Sequence, residues 1–453
     1  MSVEVSLPAY TMPERMERLP FSKYQIKIWA IISTAWWFDS VDVAMLTFLL
    51  GSIRNEFGLS TAQAGFLSSM SFLGMFMGAS LAGILGDRFG RKVVFQWSIV
   101  FWGLASAIIY FTPSYQVLLV LRLILGFGMG MEFPVAQSLL SEFMPASKRG
   151  RYVALMEGGF PIGFCTAGIL AYFLLTVVGW RGMFLVQAIP AVFVLVVRRE
   201  MPESPRWLED MGRHQEADKT MTFIEEKVKQ CINRTELPEP KPMPRMVSGV
   251  KKFSFIQLWS PGYIKRTIMA WMLWFFVLLG YYGLTSWISA LLQASGYSVV
   301  QSVGYTVIMS VIGAPGFFVS AMLLEIIGRK PNIIIMLTGA AISAYLYGTA
   351  SGVTTVIIFG ALLQFCQFGF WSVIYAYTPE LYPTHARATG AGFASGVGRF
   401  GSIVGPYVVG LIIPVFGKSG VFTLGAISFF VAALVVAILG IETKGKTLEE
   451  ISH

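Results

Sequence analysis

The chain has 453 residues, of which 55% are hydrophobic, 14% aromatic and only 13% charged. Soluble globular domains carry about 25% charged residues, so the composition excludes a soluble protein and predicts a polytopic membrane protein. The formal net charge of +9 is compatible with a nucleic-acid partner. The basic residues are, however, sorted among alternate loops between apolar runs, so we expect no such partner.

The first 25 residues are mixed and polar, and no short apolar segment with a small-residue cleavage site precedes the first long apolar run. We therefore expect no removable signal peptide. An apolar run of about 20 residues is long enough for a helix that crosses a bilayer. Runs of that length lie near residues 26–50, 62–85, 93–112, 116–140, 152–177, 182–198, 266–292, 300–326, 331–350, 353–378, 388–414 and 419–440.

The sequence thus predicts an all-α polytopic membrane protein with twelve transmembrane helices, arranged as two six-helix bundles. The predicted units are a cytoplasmic N-terminal segment, the first bundle, a cytoplasmic linker with short helices, the second bundle and a cytoplasmic tail. Their boundaries are 1–25, 26–198, 199–260, 261–440 and 441–453.

Two carboxylates, Asp39 and Asp42, lie within the first apolar run. An Asp at mid-membrane costs about 2.5–3.5 kcal/mol, and such a residue indicates a functional site that faces the bundle interior. Residues three apart share one face of a helix. Desolvation and mutual repulsion favour a bound proton on at least one of the two near neutral pH, which is the property that a proton carrier needs.

Basic residues mark one set of alternate loops. They are Arg88, Arg91, Lys92, Lys148, Arg149, Arg151, Arg329, Lys330 and Arg387. By the positive-inside rule, these loops, both termini and the linker are cytoplasmic.

Two separate motifs occur once in each half. Asp87 and Glu142 in the first half correspond to Glu325 and Glu380 in the second, and each pair is 238 residues apart. A constant register across two motifs indicates a duplicated six-helix unit with both copies in the same orientation. Such parallel repeats place a substrate site at the midplane between the halves, which is reached from either side in turn.

Four stretches carry a family resemblance. Residues 83–92 (GILGDRFGRK) resemble the signature loop of the major facilitator superfamily, and residues 122–130 (RLILGFGMG) resemble the fourth-helix motif of its sugar-porter-like branch. Residues 202–208 (PESPRWL) and 442–445 (ETKG) resemble loop and C-terminal marks of that branch. The resemblance implies the twelve-helix major facilitator fold.

The duplicated motifs place carboxylates beside arginines at cytoplasmic helix ends, where charge-assisted bonds can lock one conformation and break in the other. The alternative is that these charges serve only topology and solubility. We predict a gating role for Asp87, Arg91, Glu142, Arg149, Glu157, Glu325, Arg329, Glu380 and Arg387.

Three further stretches narrow the resemblance. Residues 37–43 (WFDSVDV), 130–136 (GMEFPVA) and 375–383 (YAYTPELYP) resemble bacterial niacin transporters of the NiaP type, which are relatives of the organic-ion transporters. The resemblance implies uptake of nicotinate or a similar small aromatic monocarboxylate by proton symport.

The resemblance to proton-coupled sugar porters assigns the proton to Asp42, with Arg122 as its switchable partner. The alternative is a static buried ion pair. For Asp39 two roles remain open, proton coupling and orientation of the substrate. Glu132 stands where sugar porters usually have a small residue, which argues against a hexose. It can join the proton path or hydrogen-bond a ring nitrogen, or it can form a structural bond.

Arg399 is the predicted anion site. A buried carboxylate requires a positive partner or several donors, and a guanidinium binds it through two parallel bonds. In the organic-ion transporters this position tends to be Arg in anion carriers, so the resemblance also implies an anionic substrate; the alternative is a structural partner for a carboxylate. Aromatic and amide side chains complete the predicted substrate site: Trp36, Tyr281, Tyr282, Gln364, Gln367, Trp371 and Tyr375.

The chain shows no nucleophile–base set, phosphate loop or metal-ligand spacing. We therefore expect no enzyme, no metal and no cofactor, with the proton-motive force as the energy source. The expected protein is a monomeric symporter of the bacterial inner membrane whose partners are a small organic anion and the lipid bilayer. A sugar or polyol symporter, a carrier of other aromatic acids and a non-transporting membrane sensor remain alternatives.

Overall fold

The computed structural model describes residues 10–240, 255–382 and 386–445. The predicted N-terminal segment, linker and tail therefore lie partly outside the described residues. The helices of the first half and the linker are α1 Met12–Glu17, α2 Lys23–Phe57, α3 Thr61–Phe89, α4 Arg91–Ile109, α5 Tyr115–Phe143, α6 Ala146–Glu157, α7 Gly159–Ala188, α8 Val194–Glu200, α9 Pro205–Asp210 and α10 His214–Ile232. The second half contains α11 Ile264–Thr285, α12 Ile288–Ala294, α13 Val299–Gly313, α14 Pro315–Ile327, α15 Arg329–Thr349, α16 Val353–Glu380 and α17 Arg387–Leu439.

Ten helical stretches in the described residues are long and apolar enough to cross a membrane. Two of them are too long to cross only once: Ala146–Glu200, with 55 residues, and Thr389–Leu439, with 51 residues. At about 1.5 Å per residue such a helix is more than twice as long as the bilayer core is thick. Each is broken by a glycine in the left-handed region, Gly179 (φ 68°) and Gly417 (φ 59°), a conformation that only glycine adopts readily. The described residues therefore contain twelve helical segments that can cross a membrane, and the predicted twelve-helix architecture is confirmed.

The internal repeat also includes the N-terminal caps of two corresponding helices, α3 and α13. Ser60 caps the N-terminus of α3 in a capping box with Gln63, and Ser298 caps α13 in the same way with Gln301. Each box satisfies two backbone N–H groups that a helix start leaves open. Ser60 and Ser298 are 238 residues apart, which is the register of the two duplicated motifs.

The halves meet tightly at the end of the bundle that is remote from α9 and α10. A Cβ atom on Gly65 of α3 would lie 2.4 Å from the carbonyl oxygen of Pro406 in α17, and one on Gly410 would lie 2.4 Å from that of Thr61. The Ser69 hydroxyl donates a hydrogen bond across the same contact to the Ile403 carbonyl at 2.5 Å. We call this the closed end, and the opposite end, which carries α9 and α10, the linker end.

Helices α3 and α5 cross through glycines. A Cβ atom on Gly126 would lie 2.0 Å from the carbonyl oxygen of Ser71, and one on Gly130 would lie 2.1 Å from that of Met75. Small residues at such a crossing let two membrane helices approach closely. The approach brings Ser71 of α3 beside Arg122 of α5, whose Nε donates to the Ser71 hydroxyl at 2.8 Å.

Gly126→Ala should destabilise the protein, because the new methyl group meets a carbonyl oxygen of the neighbouring helix backbone. Overpacking of this kind costs about 1–3 kcal/mol. Gly83→Ala in α3 is the matched control: no atom lies within 4 Å of its Cβ position, and alanine gains up to about 1 kcal/mol of helix propensity. The melting temperature in detergent should fall for the first variant only; equal melting temperatures would contradict the crossing.

Candidate functional site

The duplicated motifs form the same ion pairs in each half at the linker end. Arg91 Nε lies 3.1 Å from Glu142, and Nη2 lies 3.3 Å from Asp87. In the second half Arg329 Nε lies 3.1 Å from Glu380, and Nη2 lies 3.5 Å from Glu325. Each of these pairs joins residues of one half, so none of them fastens the two halves together. Their gating role stays a prediction.

Two carboxylates from the quoted stretches 202–208 and 442–445, to which the sequence assigned no role, cap the helices that follow these motifs. Glu203 accepts a hydrogen bond from the backbone N–H of Lys92 at 3.0 Å, at the start of α4. Glu442 accepts from the backbone N–H groups of Arg329 and Lys330 at 3.0 Å each, at the start of α15. An anion is stabilised at a helix N-terminus. Burial would raise the pKa of Glu442, but the backbone N–H groups of Lys444, Arg329 and Lys330 outweigh burial and hold the pKa below its ordinary value.

A third missed carboxylate, Glu17, supplies the partner of Arg149. Glu17 accepts hydrogen bonds from Arg149 at 2.8 Å and from Arg206 at 3.2 Å, and it also accepts from the Ala146 backbone N–H at 3.1 Å. It thereby joins the N-terminal segment, α6 and the start of α9. Arg387 is the first residue of α17.

A cavity of about 740 Å³ lies between the halves. Its lining includes Ser138 and Ser141 in the last turns of α5 and Pro379 in the last turn of α16, next to the gate residues Glu142 and Glu380. The cavity therefore opens toward the linker end, while the glycine contacts seal the closed end. The space between the two halves is therefore open at one end and closed at the other.

The inner end of this cavity narrows to about 20 Å³, which is room for a water molecule. We call this region the inner cavity. Five of the eight predicted substrate residues line it: Trp36, Tyr282, Trp371, Tyr375 and Arg399. Tyr281 lines a neighbouring space, while Gln364 and Gln367 are buried on α16 and line neither cavity.

Aromatic rings form both walls of the inner cavity. On the first half, Trp36 and Phe133 pack with ring centroids 4.2 Å apart. On the second half, Trp371 and Tyr375 are stacked at 5.6 Å with an interplanar angle of 26°, and Trp274 meets Tyr375 edge-on. Flat rings prefer offset stacking or edge contacts of this kind, so the walls suit a flat ring between them.

Two charged side chains face each other across the inner cavity. Arg399 of α17 lies over the Phe133 ring, with its guanidinium carbon 5.1 Å from the centroid. Glu157, the last residue of α6, accepts a hydrogen bond from Gln137 at 2.7 Å. In the described part of the chain no carboxylate lies within the 4.0 Å of an ion pair to Arg399. Glu157 thus lines the cavity and bonds Gln137 rather than an arginine of the gate motifs, and its gating role stays a prediction.

A second group of charged residues is buried within the first half. Asp39 and Asp42 on α2, and Arg122 and Glu132 on α5, are all 3% exposed or less. Glu132 accepts bonds from Ser98 and Trp102 of α4 at 3.4 Å. We call Asp39, Asp42, Glu132 and Arg122 the acid cluster. The cluster contains three carboxyl groups and one guanidinium, and burying all of them ionised would leave two uncompensated negative charges.

The carboxylate oxygens of Asp39 and Asp42 have no hydrogen-bond partner among the described residues, and the same holds for Nη1 of Arg122. Asp42 nevertheless lies within electrostatic reach of Arg122. In this conformation the predicted Asp42–Arg122 partners are thus close without a direct bond. Arg122 also lines a space of about 20 Å³ between the inner cavity and the closed end, with Tyr281 and Tyr282.

The chain is similar in sequence to transporters. It matches the family described as "Sugar (and other) transporter" over residues 25–453. The niacin transporter NiaP of Acinetobacter baylyi is 38% identical over 438 residues, which cover 96% of this chain and 98% of the relative. The putative niacin/nicotinamide transporter NiaP of Bacillus subtilis is 34% identical over 426 residues, which cover 94% and 98%.

The fold is similar to solved structures of a sugar symporter. The inward-open xylose transporter XylE of E. coli superposes with a TM-score of 0.73 at 21% identity, and the match covers 94% of this chain and 99% of that one. A crystal structure of a D-xylose–proton symporter gives a TM-score of 0.76 at 20% identity, covering 94% and 100%. At this identity the likeness shows the fold alone.

Proposed function

Because the chain belongs to the sugar (and other) transporter family of the major facilitator superfamily, we propose that it imports nicotinate, or a similar small aromatic monocarboxylate, together with protons. The observation that carries the proposal is the inner cavity. It combines one guanidinium, Arg399, with aromatic walls from both halves. The chemistry of both features suits a flat ring with one carboxylate, because the guanidinium binds the carboxylate and the aromatic side chains stack on the ring. Arg399, Trp274 and Tyr375 also line the 740 Å³ space, so the molecule has room where that space meets the inner cavity.

The relatives support the same substrate class. Two relatives that match nearly the whole chain carry niacin in their names. A sugar or polyol is the second candidate, because the superposed structures are xylose symporters. A polyol needs hydrogen-bond partners around its whole ring, and the inner cavity is lined mainly by aromatic and apolar side chains. We therefore favour the aromatic acid.

The acid cluster supports proton coupling. The cluster contains three buried carboxyl groups and one guanidinium, so two of the carboxyl groups must hold a proton for the cluster to be neutral. Protonation of Asp42 removes its attraction to Arg122, and its deprotonation restores it. This gives the first half two electrostatic states that can favour different conformations.

We propose that the linker end faces the cytoplasm of a bacterium and that the cavity in this conformation opens inward. The protein acts as a monomer, and the solute crosses without chemical modification.

Labelled nicotinate should accumulate in proteoliposomes that hold an inward proton gradient. One coupled proton allows up to about tenfold accumulation per pH unit, because each unit is worth about 1.36 kcal/mol. A protonophore should reduce the uptake to equilibration, and xylose should not compete. Equal accumulation with the gradient collapsed would contradict proton coupling, and nicotinate binding without any uptake would favour the membrane-sensor alternative.

A further inference from the structure

Glu157 occupies a position in the inner cavity that the acid cluster does not share. It ends α6 and is 6% exposed, and its carboxylate accepts a hydrogen bond from Gln137 of α5. It lines both the inner cavity and the 740 Å³ space that opens at the linker end. A proton can therefore reach it from the linker end without passing the acid cluster.

The groups that face Glu157 leave it with one positive neighbour. Arg399 of α17 is the charged group within electrostatic reach, and Tyr375 of α16 is the titratable one. Tyr282 of α11 lines the same cavity. The hydrogen-bond partner Gln137 and the other residues that line the inner cavity are uncharged: Trp36, Phe133, Phe160, Pro161, Trp274, Leu278, Phe317 and Trp371. In the empty cavity, Arg399 thus favours the ionised form of Glu157, since an opposite charge nearby stabilises a carboxylate.

We propose that Glu157 takes up a proton when an organic anion binds to Arg399, so that anion and proton enter the inner cavity together. This inference rests on the proposed function, in which Arg399 holds the carboxylate. Once the anion pairs with Arg399, two carboxylates share one guanidinium in an aromatic cavity. One of them must become neutral, because the second negative charge has lost its compensation and its water. Glu157 is the carboxylate that can be protonated from the linker end.

The proton has a structural consequence. With the anion paired to Arg399 and Glu157 neutral, the occupied inner cavity carries no net charge. The two halves can then close over it without burying an unpaired ion. The neutral carboxyl group can also donate a hydrogen bond to the bound molecule, which an ionised Glu157 cannot do.

Calorimetric titration of the purified protein with nicotinate at pH 8, in two buffers of different ionisation enthalpy, measures this proton directly. The wild type should take up close to one proton per nicotinate bound, and its Kd should rise by up to tenfold per pH unit. Glu157→Gln keeps an oxygen that accepts from Gln137 and should bind nicotinate with a flat pH profile and almost no proton uptake. Wild-type binding without proton uptake, or unchanged uptake in Glu157→Gln, would overturn the inference.

Asp42→Asn distinguishes the two proton sites, because it should retain the binding-linked proton that Glu157→Gln loses. The opposite pattern would assign the proton to the acid cluster and refute the role of Glu157. If Glu157→Gln does not fold, infrared difference spectra of the wild type and Asp42→Asn provide the second test. Both should gain a protonated-carboxyl band with nicotinate and none with neutral nicotinamide, and absence of the band overturns the inference. Failure of nicotinate to bind at all would refute the proposed function itself.

Discussion

Arg399→Ala should abolish the stabilisation of the protein by nicotinate in a thermal-shift assay while the unliganded protein still folds. Arg399 is the cation of the inner cavity, and its packing contact is with the Phe133 ring. Loss of one partner of a buried charged pair costs about 2–5 kcal/mol of binding free energy. The Kd for nicotinate should therefore rise by a factor of about thirty to several thousand.

A conservative substitution of Arg399 and a neutral ligand supply the controls. Arg399→Lys keeps the charge but loses the two parallel bonds, so it should bind nicotinate with intermediate affinity. Neutral nicotinamide stacks on the same walls and has no carboxylate, so its binding should change little in either variant. If the preference for nicotinate over nicotinamide were the same in wild type and Arg399→Ala, the anion would bind elsewhere and Arg399 would be a structural residue.

The twelve-helix fold could be predicted from the sequence because the thickness of the bilayer sets the length of each membrane-spanning helix. A bilayer of fixed thickness requires apolar runs of about 20 residues, and each helix must satisfy its own backbone hydrogen bonds. Even the pair of predicted runs at 388–414 and 419–440 corresponds to one helical stretch, Arg387–Leu439, that is broken at Gly417. The register of 238 residues likewise appears in the structure as matching ion pairs at Arg91 and Arg329. The domain boundaries themselves stay a prediction.

The site was only partly accessible, since it depends on how helices from distant parts of the chain meet. The sequence groups Glu157 with the gate residues, since it follows Arg149 by eight residues. In a helix that separation is about 12 Å, which places Glu157 at the far end of α6, on the wall of the inner cavity. Glu17, Glu203 and Glu442 look like solvated charges in polar segments, and only the tertiary fold brings them to Arg149 and to helix starts.

The relation between Asp42 and Arg122 illustrates a further limit of sequence. Residue spacing places both on helices of the first half, yet it does not say which conformation brings them together. Here Arg122 donates to Ser71, and the Asp42 oxygens have no partner among the described residues. A switchable contact requires two groups that are close but not bonded in one of the conformations. A permanently bonded pair would oppose the conformational change in both directions.

Asp42→Asn should therefore separate exchange from net transport. Asn has the shape of a protonated Asp and cannot lose a proton, so the acid cluster stays in the state that the loaded carrier uses. The return of the empty carrier needs ionised Asp42 beside Arg122, and this step should stop. Proteoliposomes that contain the variant should show no accumulation above equilibration under a proton gradient, whereas the wild type should accumulate nicotinate by up to about tenfold per pH unit for each coupled proton.

Exchange of external labelled nicotinate for internal unlabelled nicotinate should persist in Asp42→Asn, because that reaction uses only the loaded carrier. Asp42→Glu restores an ionisable group at the same position and should regain part of the accumulation. Asp39→Asn is the matched variant at the neighbouring acid of α2. It shows whether Asp42 alone or the whole acid cluster controls the return of the empty carrier. Accumulation at the wild-type level in Asp42→Asn would remove Asp42 from the proton path and leave it as a structural neighbour of Arg122.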